Sequence, residues 1–183
     1  IKFSQLLNDC KKYGLKLNNE KTRTLVVGNC LESVKFLGFT INNKMTVIEL
    51  QPSGGNSPAG WYTEILAPYL KNNGLLIAAH FNPEESDWRA KMRSNFELLI
   101  EEKPEYYNIK MSMLSMPPDK LAEDNSADMI VTFRNLHNWL KSSALKEVFK
   151  VSYQALKPGG VLGVVEHRAP ESFSIKEMIK TGY

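Results

Sequence analysis

The sequence predicts an α/β fold in which helices cover both faces of a parallel β-sheet. From about residue 46 onward, short apolar runs alternate with segments whose apolar residues have helical spacing. The apolar runs are continuous rather than alternating, which is typical of strands buried on both faces of a parallel sheet. Polar clusters follow several of these runs, and doubly wound sheets bind ligands beyond the carboxyl ends of their strands.

The composition is that of an ordinary globular protein, with 183 residues of which 43% are hydrophobic. Lys and Arg exceed Asp and Glu only by 23 to 20, so the charge balance does not indicate a nucleic-acid partner. Two cysteines and three scattered histidines make no metal-binding pattern. No apolar run approaches the roughly 20 residues that span a bilayer, and no signal peptide is recognisable, so we expect a cytoplasmic protein.

We expect a small α+β segment over residues 1–44, in which a helix precedes a few antiparallel strands. The run VKFLGFTI, residues 34–41, is interpreted as one strand, and the polar residues 42–44 as a turn. The second predicted domain covers residues 45–183 and contains the alternating strands and helices.

The predicted sheet has five strands, each an apolar run bounded by turn residues. They cover residues 46–50, 75–79, 109–113, 128–133 and 161–165. Helices are expected over residues 61–70, 86–102 and 143–155, and a last one begins near residue 172. Pro104 stops the second helix, and a sharp Lys-Pro-Gly-Gly turn precedes the fifth strand. In the third helix, four apolar or aromatic residues are expected to face inward: Leu145, Val148, Phe149 and Tyr153.

A glycine-rich loop follows the first strand of this sheet. Glu49 lies at the strand end, Gly54, Gly55 and Gly60 lie in the loop, and Trp61 follows it. Glycines let the backbone approach a ligand, and the next helix offers free N–H groups. The loop lacks the G-x-G-x-x-G spacing of dinucleotide sites and suits a cationic nucleoside with a carboxylate better. A flexible surface loop is the alternative interpretation.

His80, Phe81 and Asn82 follow the second predicted strand, where nucleotide-binding sheets often carry an acid that holds the ribose hydroxyls. His and Asn can also hydrogen-bond a diol. A loop of polar capping residues is the alternative.

Two further polar clusters follow the fourth and fifth strands. The first contains Arg134, Asn135 and His137, and a polar loop with Trp139 tucked under the next helix is the alternative interpretation. The second is Glu166-His167-Arg168, in which His167 is a candidate general base because its ordinary pKa of about 6.5 suits proton transfer near neutrality. Salt bridges at the strand end are the alternative there.

Residues 46–183 resemble predicted bacterial S-adenosylmethionine (SAM)-dependent methyltransferases of class I. The resemblance rests on motifs at the strand ends and turns: VIEL, GWYTEILAP, AAHF, PPD, SADM, TFRNLHNW and LKPGGVLGVVEHR. It implies a Rossmann-like sheet with SAM as cofactor. The chain departs from the family by an insertion at residues 56–59 and by ending before two further expected strands, which leaves the sheet incomplete at its C-terminal end.

Under this resemblance the candidate site divides into two groups. The residues expected to hold SAM are Glu49, Gly54, Gly55, Gly60, Trp61, His80, Phe81 and Arg134. The residues expected to face the methyl acceptor, a small molecule, are Asn135, His137 and His167.

Residues 4–43 resemble the distal palm region of reverse transcriptases, through motifs such as LLNDCKKYGLKLN and VKFLGFTI. The aspartate pair that binds the catalytic metals in that family is absent, so this segment is interpreted as a remnant without polymerase activity.

Three hypotheses follow from the sequence. The leading one is a SAM-dependent methyltransferase. The second is a truncated, non-catalytic SAM-binding module that forms a homodimer through the exposed edge of the fifth strand. The third, which the sequence favours least, is nucleic-acid binding by the basic residues of the N-terminal segment.

Overall fold

The computed structural model describes residues 33–36, 39–52, 60 and 62–182. These residues belong to one compact unit, Leu31–Tyr183, and the other unit, Ile1–Cys30, lies outside them. The predicted helix and first strands of the N-terminal segment therefore also lie outside the described residues, and the boundary at residue 44 stays a prediction. The helices and strands are β1 (Ser33–Phe36), β2 (Phe39–Asn42), β3 (Thr46–Leu50), α1 (Thr63–Leu70), β4 (Leu75–Phe81), α2 (Asp87–Glu102), β5 (Ile109–Leu114), β6 (Ala127–Phe133), α3 (Leu136–Lys141), α4 (Leu145–Ala155), β7 (Leu156–Val165) and α5 (Ile175–Thr181).

The main sheet has five parallel strands in the order β5-β4-β3-β6-β7, which confirms the predicted parallel α/β architecture. From β3 the chain proceeds outward through β4 to β5, and then crosses to the other side of β3 for β6 and β7. The strand order therefore reverses between β3 and β6. In doubly wound sheets, such a reversal opens a crevice beyond the carboxyl ends of the two strands.

The core lies on both faces of this sheet, as predicted. On one face, α1 and α2 contribute Leu66, Leu70 and Phe96 to a cluster with the strands. On the other face, α3 and α4 contribute Trp139 and Val148. The helix boundaries follow local signals: Ser86 caps the N-terminus of α2 by accepting a hydrogen bond from the Arg89 N–H at 3.3 Å. The helix ends at Glu102, just before Pro104, as predicted.

Residues 33–36 and 39–42 form two antiparallel strands, so the prediction of one strand over residues 34–41 is wrong. Both strands carry apolar residues, which makes them look like one continuous run in the sequence. Ile41 of β2 is fully buried, and its carbonyl accepts a hydrogen bond from the Tyr69 hydroxyl at 3.0 Å.

The segment after β6 differs from its prediction in two respects. Residues 136–141 form the helix α3 instead of a loop, and α4 begins only at Leu145. Tyr153 and Phe149 do not face inward, since their side chains are 82% and 38% exposed. Val148 is fully buried, as predicted, and the other buried positions of α4 follow it at three- and four-residue spacing: Val151, Ser152 and Ala155.

The strand β7 begins at Leu156, so it includes the predicted Lys-Pro-Gly-Gly turn. Leu156 pairs with Ala127 and Val161 with Met129, so four residues bulge opposite a single residue of β6. Asp128 lies at this bulge and accepts hydrogen bonds from Lys157 Nζ at 2.7 Å and from the Thr46 N–H at 2.8 Å. Burial would raise the pKa of Asp128, but these two donors outweigh it and hold that pKa below its ordinary value.

A close backbone approach at Gly74 gives a test of this packing. A Cβ at this position would lie 2.7 Å from the carbonyl oxygens of Asn43 and Met45, neither of which can rotate away. We expect Gly74→Ala to lower the free energy of unfolding by about 1–3 kcal/mol, measured by urea denaturation. The exposed neighbour Asn73 supplies the control, since Asn73→Ala is expected to change stability little. Equal stabilities for the two variants would contradict the packing at Gly74.

Candidate functional site

The candidate site is the crevice where the chain leaves β3 and β6. β3 ends at Leu50, β6 at Phe133 and the neighbouring β7 at Val165. Because all three strands are parallel, the polar segments that follow them meet at one edge of the sheet. Gln51 and Pro52, the segment from residue 134 to 139 and the segment from 166 to 168 therefore begin at that edge.

Glu49 is buried within β3 beside this edge, with 1% of its surface exposed. It lies in the sheet between Ala78 of β4 and Val131 of β6, and its Oε2 accepts a hydrogen bond from Thr63 Oγ1 at 2.7 Å. Burial raises the pKa of Glu49 to about 7, although the Thr63 hydroxyl opposes this shift. Near neutral pH this carboxyl can therefore gain or lose a proton at little cost.

Asn135 ties the carboxyl ends of β3 and β6 together. Its side-chain amide Nδ2 donates to the Leu50 carbonyl at 3.1 Å and to Thr132 Oγ1 at 3.2 Å. Asn135 is only 7% exposed, so these bonds are shielded from water. Its amide nitrogen is thus engaged by the protein itself.

Gln51 makes a second link across the same crevice. Its side-chain Oε1 accepts a hydrogen bond from Trp139 Nε1 at 3.0 Å, and its backbone N–H donates to the Ala79 carbonyl at 2.9 Å. Gln51 and Trp139 are 6% and 1% exposed. The backbone of Gln51 is left-handed, with φ at 49°, which is unusual for a residue with a side chain.

Arg134 also has a left-handed backbone, with φ at 61°. Its N–H donates to the Val165 carbonyl at 2.8 Å, which joins the ends of β6 and β7, while its side chain is exposed. The preceding residue, Phe133, stacks on Tyr62 with ring centroids 3.6 Å apart. This aromatic pair connects the end of β6 with the start of α1.

Glu166 connects β7 with α3. Its Oε2 accepts a hydrogen bond from the Leu136 N–H at 3.0 Å, and its Oε1 accepts one from the His167 N–H at 3.1 Å. His137 Nδ1 lies 3.8 Å from the same Oε2, beyond hydrogen-bond distance. A Cβ on Gly182 would lie 3.6 Å from His137 Nε2, so the C-terminal end of α5 is next to this ring.

His80 and Phe81 lie within β4 and not after it, because the strand continues its pairing with β5 to Phe81. His80 is fully buried, 5.0 Å from the ring of Phe96. Burial lowers its pKa to about 4, the charge of Arg93 acts in the same direction, and the Pro52 backbone opposes them weakly. Neither ring nitrogen makes a hydrogen bond of good geometry to a described residue. His80 is therefore neutral near pH 7.

Three predicted cofactor residues, Gly54, Gly55 and Trp61, lie outside the described residues. Gly60 is buried, and its carbonyl accepts the Glu64 N–H at 3.4 Å as α1 begins. Asn82 follows β4 and accepts a hydrogen bond from the Glu84 N–H at 3.0 Å, which caps a short 3-10 helix.

Gln51 and Thr132 have structural roles at the crevice that the sequence pattern did not indicate. One signal was available for Gln51: a buried indole requires an acceptor for its N–H, and Trp139 was expected to be tucked under a helix. The acceptor could not be identified from the sequence, since 88 residues separate the two partners.

A groove of about 410 Å³ lies on the side of the sheet opposite the crevice, beside the bulge of β7 and Tyr153. It adjoins the amino ends of β6 and β7, where parallel sheets do not place their ligands, so we do not assign the site there. No group of acidic, His or Cys side chains within the described part of the chain could hold a metal ion. The helices of that part are all too short or too polar to cross a bilayer.

No protein-family model and no curated protein matches this sequence. Solved structures do match. A SAM-dependent methyltransferase from Aquifex aeolicus superposes with a TM-score of 0.51 at 16% identity, over 72% of this chain and 61% of that one. A predicted methyltransferase from Bacillus halodurans C-125 also gives 0.51, at 14% identity, over 72% and 48% of the two chains.

This chain thus spans about half to three fifths of the length of those proteins. At these identities the likeness shows the fold, which is the Rossmann-like fold of class I methyltransferases, as expected. The reverse-transcriptase resemblance of residues 4–43 is not shown by these comparisons, and most of that stretch lies outside the described residues.

The buried carboxyl of Glu49 gives a pH-dependent prediction. Its pKa of about 7 exceeds the ordinary 4.5, so the folded protein holds this proton more tightly than the unfolded chain does. Its contribution to stability is therefore fully present below pH 4.5 and is lost as the pH rises to about 7. We expect Glu49→Gln, which stays neutral, to be more stable than the wild type at pH 8 by roughly 2–3 kcal/mol.

Urea denaturation of the two proteins from pH 5 to pH 8 measures this difference. His80 is present in both proteins, so its titration changes both stabilities equally and cancels in their difference. Glu64→Gln, at an exposed position of α1, is the control and should follow the wild type. Parallel stability curves for Glu49→Gln and the wild type would show that Glu49 is not buried as described.

Proposed function

We propose that this protein binds SAM and transfers its methyl group to a small-molecule acceptor. The observation that carries the proposal is the buried carboxyl of Glu49, which lies beside the crevice of a methyltransferase-type sheet. A carboxyl with a pKa of about 7 suits a cationic ligand, because the ligand's charge favours the ionised form.

The described residues fit SAM in their chemistry. Glu49 supplies a negative charge in a water-poor setting, and Gly60 and the start of α1 supply backbone near the strand end. SAM brings an activated methyl group when bound, so the protein need only bind, align and exclude water. We assign Gly54, Gly55, Trp61, His80, Phe81 and Arg134 to the cofactor side as part of this proposal.

On the acceptor side we assign His137 and His167, with Asn135 beside them. His167 is exposed just after the end of β7, where an imidazole can accept a proton from an acceptor hydroxyl or amine. His137 is mostly buried, and its Nδ1 lies 3.8 Å from Glu166 Oε2. These roles follow from position at the crevice and the chemistry of each group.

Isothermal titration calorimetry with SAM tests the cofactor directly. We expect micromolar binding by the wild type and at least tenfold weaker binding by Glu49→Leu, which removes the carboxyl. The groove-lining variant Gln154→Ala, at the opposite edge, is the control and should bind as the wild type does. No heat of binding with millimolar SAM would refute the proposal.

The pKa of Glu49 makes SAM binding depend on pH. With a pKa of about 7, Glu49 is roughly one tenth ionised at pH 6 and nine tenths at pH 8. If SAM selects the ionised form, its affinity should rise about tenfold between these values, because the competent fraction rises by that factor. Titrations in buffers of different ionisation enthalpy should also show proton release. Glu49→Gln should bind SAM weakly and without this pH dependence.

A second function, SAM binding without methyl transfer, has one observation in its favour. His137 Nδ1 is buried without a hydrogen bond to any described residue, and the end of α5 lies against the other side of the ring. The end of α5 therefore restricts the approach of an acceptor to the Nε2 side of His137. Formation of S-adenosylhomocysteine from SAM in the presence of a small-molecule extract would distinguish the two functions. Tight SAM binding with no such product would favour the second.

A further inference from the structure

Two buried side-chain links bridge the crevice between β3 and β6, and each joins residues that are far apart in the chain. Asn135 reaches the Leu50 carbonyl across 85 residues, and Trp139 reaches the Gln51 side chain across 88. Both acceptors belong to the end of β3, and both donors belong to the segment that follows β6. The two walls of the crevice are thus joined directly.

The link at Gln51 stands on a strained backbone. A left-handed conformation with φ at 49° is costly for a residue with a Cβ, and it persists only where the surroundings determine it. Here the Ala79 carbonyl holds the Gln51 N–H, and the Trp139 indole holds its side chain. Strain of this kind occurs mainly at functional sites, where the chain must leave a strand in a particular direction.

The contacts of Asn135 also indicate its role. The proposed function places this residue beside the acceptor. Its Nδ2 already donates to two protein acceptors, at 3.1 and 3.2 Å, and the residue is 7% exposed. An amide held this way sets the positions of other groups better than it contacts a substrate. The carbonyl that Asn135 contacts belongs to Leu50, the residue after Glu49.

We infer that Gln51, Asn135 and Trp139 are positioning residues that form a latch between the two walls of the crevice and thereby set its affinity for SAM. The latch fixes the end of β3, including Glu49, relative to Arg134 and the start of α3. This inference rests on the proposed function for its ligand, but the latch itself is a property of the free protein. One set of variants can therefore test the latch and the proposed function separately.

The Gln51–Trp139 bond is the link that can be tested most cleanly. Gln51→Met and Trp139→Phe each remove one partner and leave the other buried and unsatisfied, which destabilises the fold. The double variant leaves neither polar group, so its stability should recover above that of either single variant. Trp88→Phe, at a 59% exposed position, is the matched control.

Two measurements are made on the four variants and the wild type. Titration calorimetry gives the Kd for SAM, and thermal unfolding gives the Tm. We expect the Kd to rise about tenfold in each single variant and to stay about tenfold higher in the double variant, while its Tm recovers. A residue with a merely structural role would show affinity and stability recovering together, and that result would overturn the latch. A Kd about a hundredfold higher in the double variant than in the wild type would mean that the two residues act independently. That result would also overturn the latch.

Hydrogen exchange of the free proteins separates failure of the latch from failure of the proposed function. We expect faster amide exchange in residues 48–52 and 134–139 of all three latch variants, with no change in α4. If the wild type binds no SAM, the proposed function fails and this exchange pattern alone decides the latch. Unchanged exchange in those two segments would refute it.

Discussion

The arrangement of this protein depends on one topological constraint: the chain leaves neighbouring parallel strands, β3 and β6, in opposite directions. At the end of β3 the Leu50 carbonyl is buried, and a buried carbonyl without a partner is costly. A side chain from the segment after β6 satisfies it. Asn135 serves the Leu50 carbonyl, and Gln51 holds its own segment to β4 through Ala79. The crevice is therefore lined by hydrogen bonds that the fold itself requires.

Asp128 makes a second connection between strands, at their amino ends. Asp128 holds the start of β3 through the Thr46 N–H and the start of β7 through Lys157. The strands β3 and β6 are thus tied together by side chains at both ends, by Asp128 at one end and by Asn135 at the other. A crevice between strands fixed in this way is well preorganised for a ligand.

Much of the fold could be predicted because its signals are local. Continuous apolar runs identify strands buried on both faces, and Pro104 or Ser86 identify helix ends. The errors occur where tertiary contacts override local sequence. Residues 136–141 look like a polar loop, but they form a helix because Glu166 caps it at Leu136 and Trp139 anchors it in the core. Glu166 follows Leu136 by 30 residues, so this cap cannot be recognised from the local sequence.

The candidate site was predictable in place but not in geometry. The sequence shows that polar residues follow the strands, and topology then requires them to converge. It does not show that His80 belongs inside β4, because one more pair of residues in register with β5 cannot be read from a single sequence. The sequence also does not show that the side-chain amide of Asn135 donates its hydrogen bonds to Leu50 and Thr132. Whether these residues act on a cofactor or an acceptor stays a prediction.

The helix α3 constrains how this protein could change over evolution. Its first turn borders the crevice, while its Trp139 is part of the core on one face of the sheet. A substitution that alters the crevice through α3 would therefore also disturb folding, and selection for stability would tend to remove it. The exposed side chains of Asn138 and His167 are not part of the core, so substitutions there should disturb folding less. If the proposed function holds, a changed acceptor preference should arise at those positions first, with the latch between the strands inherited unchanged.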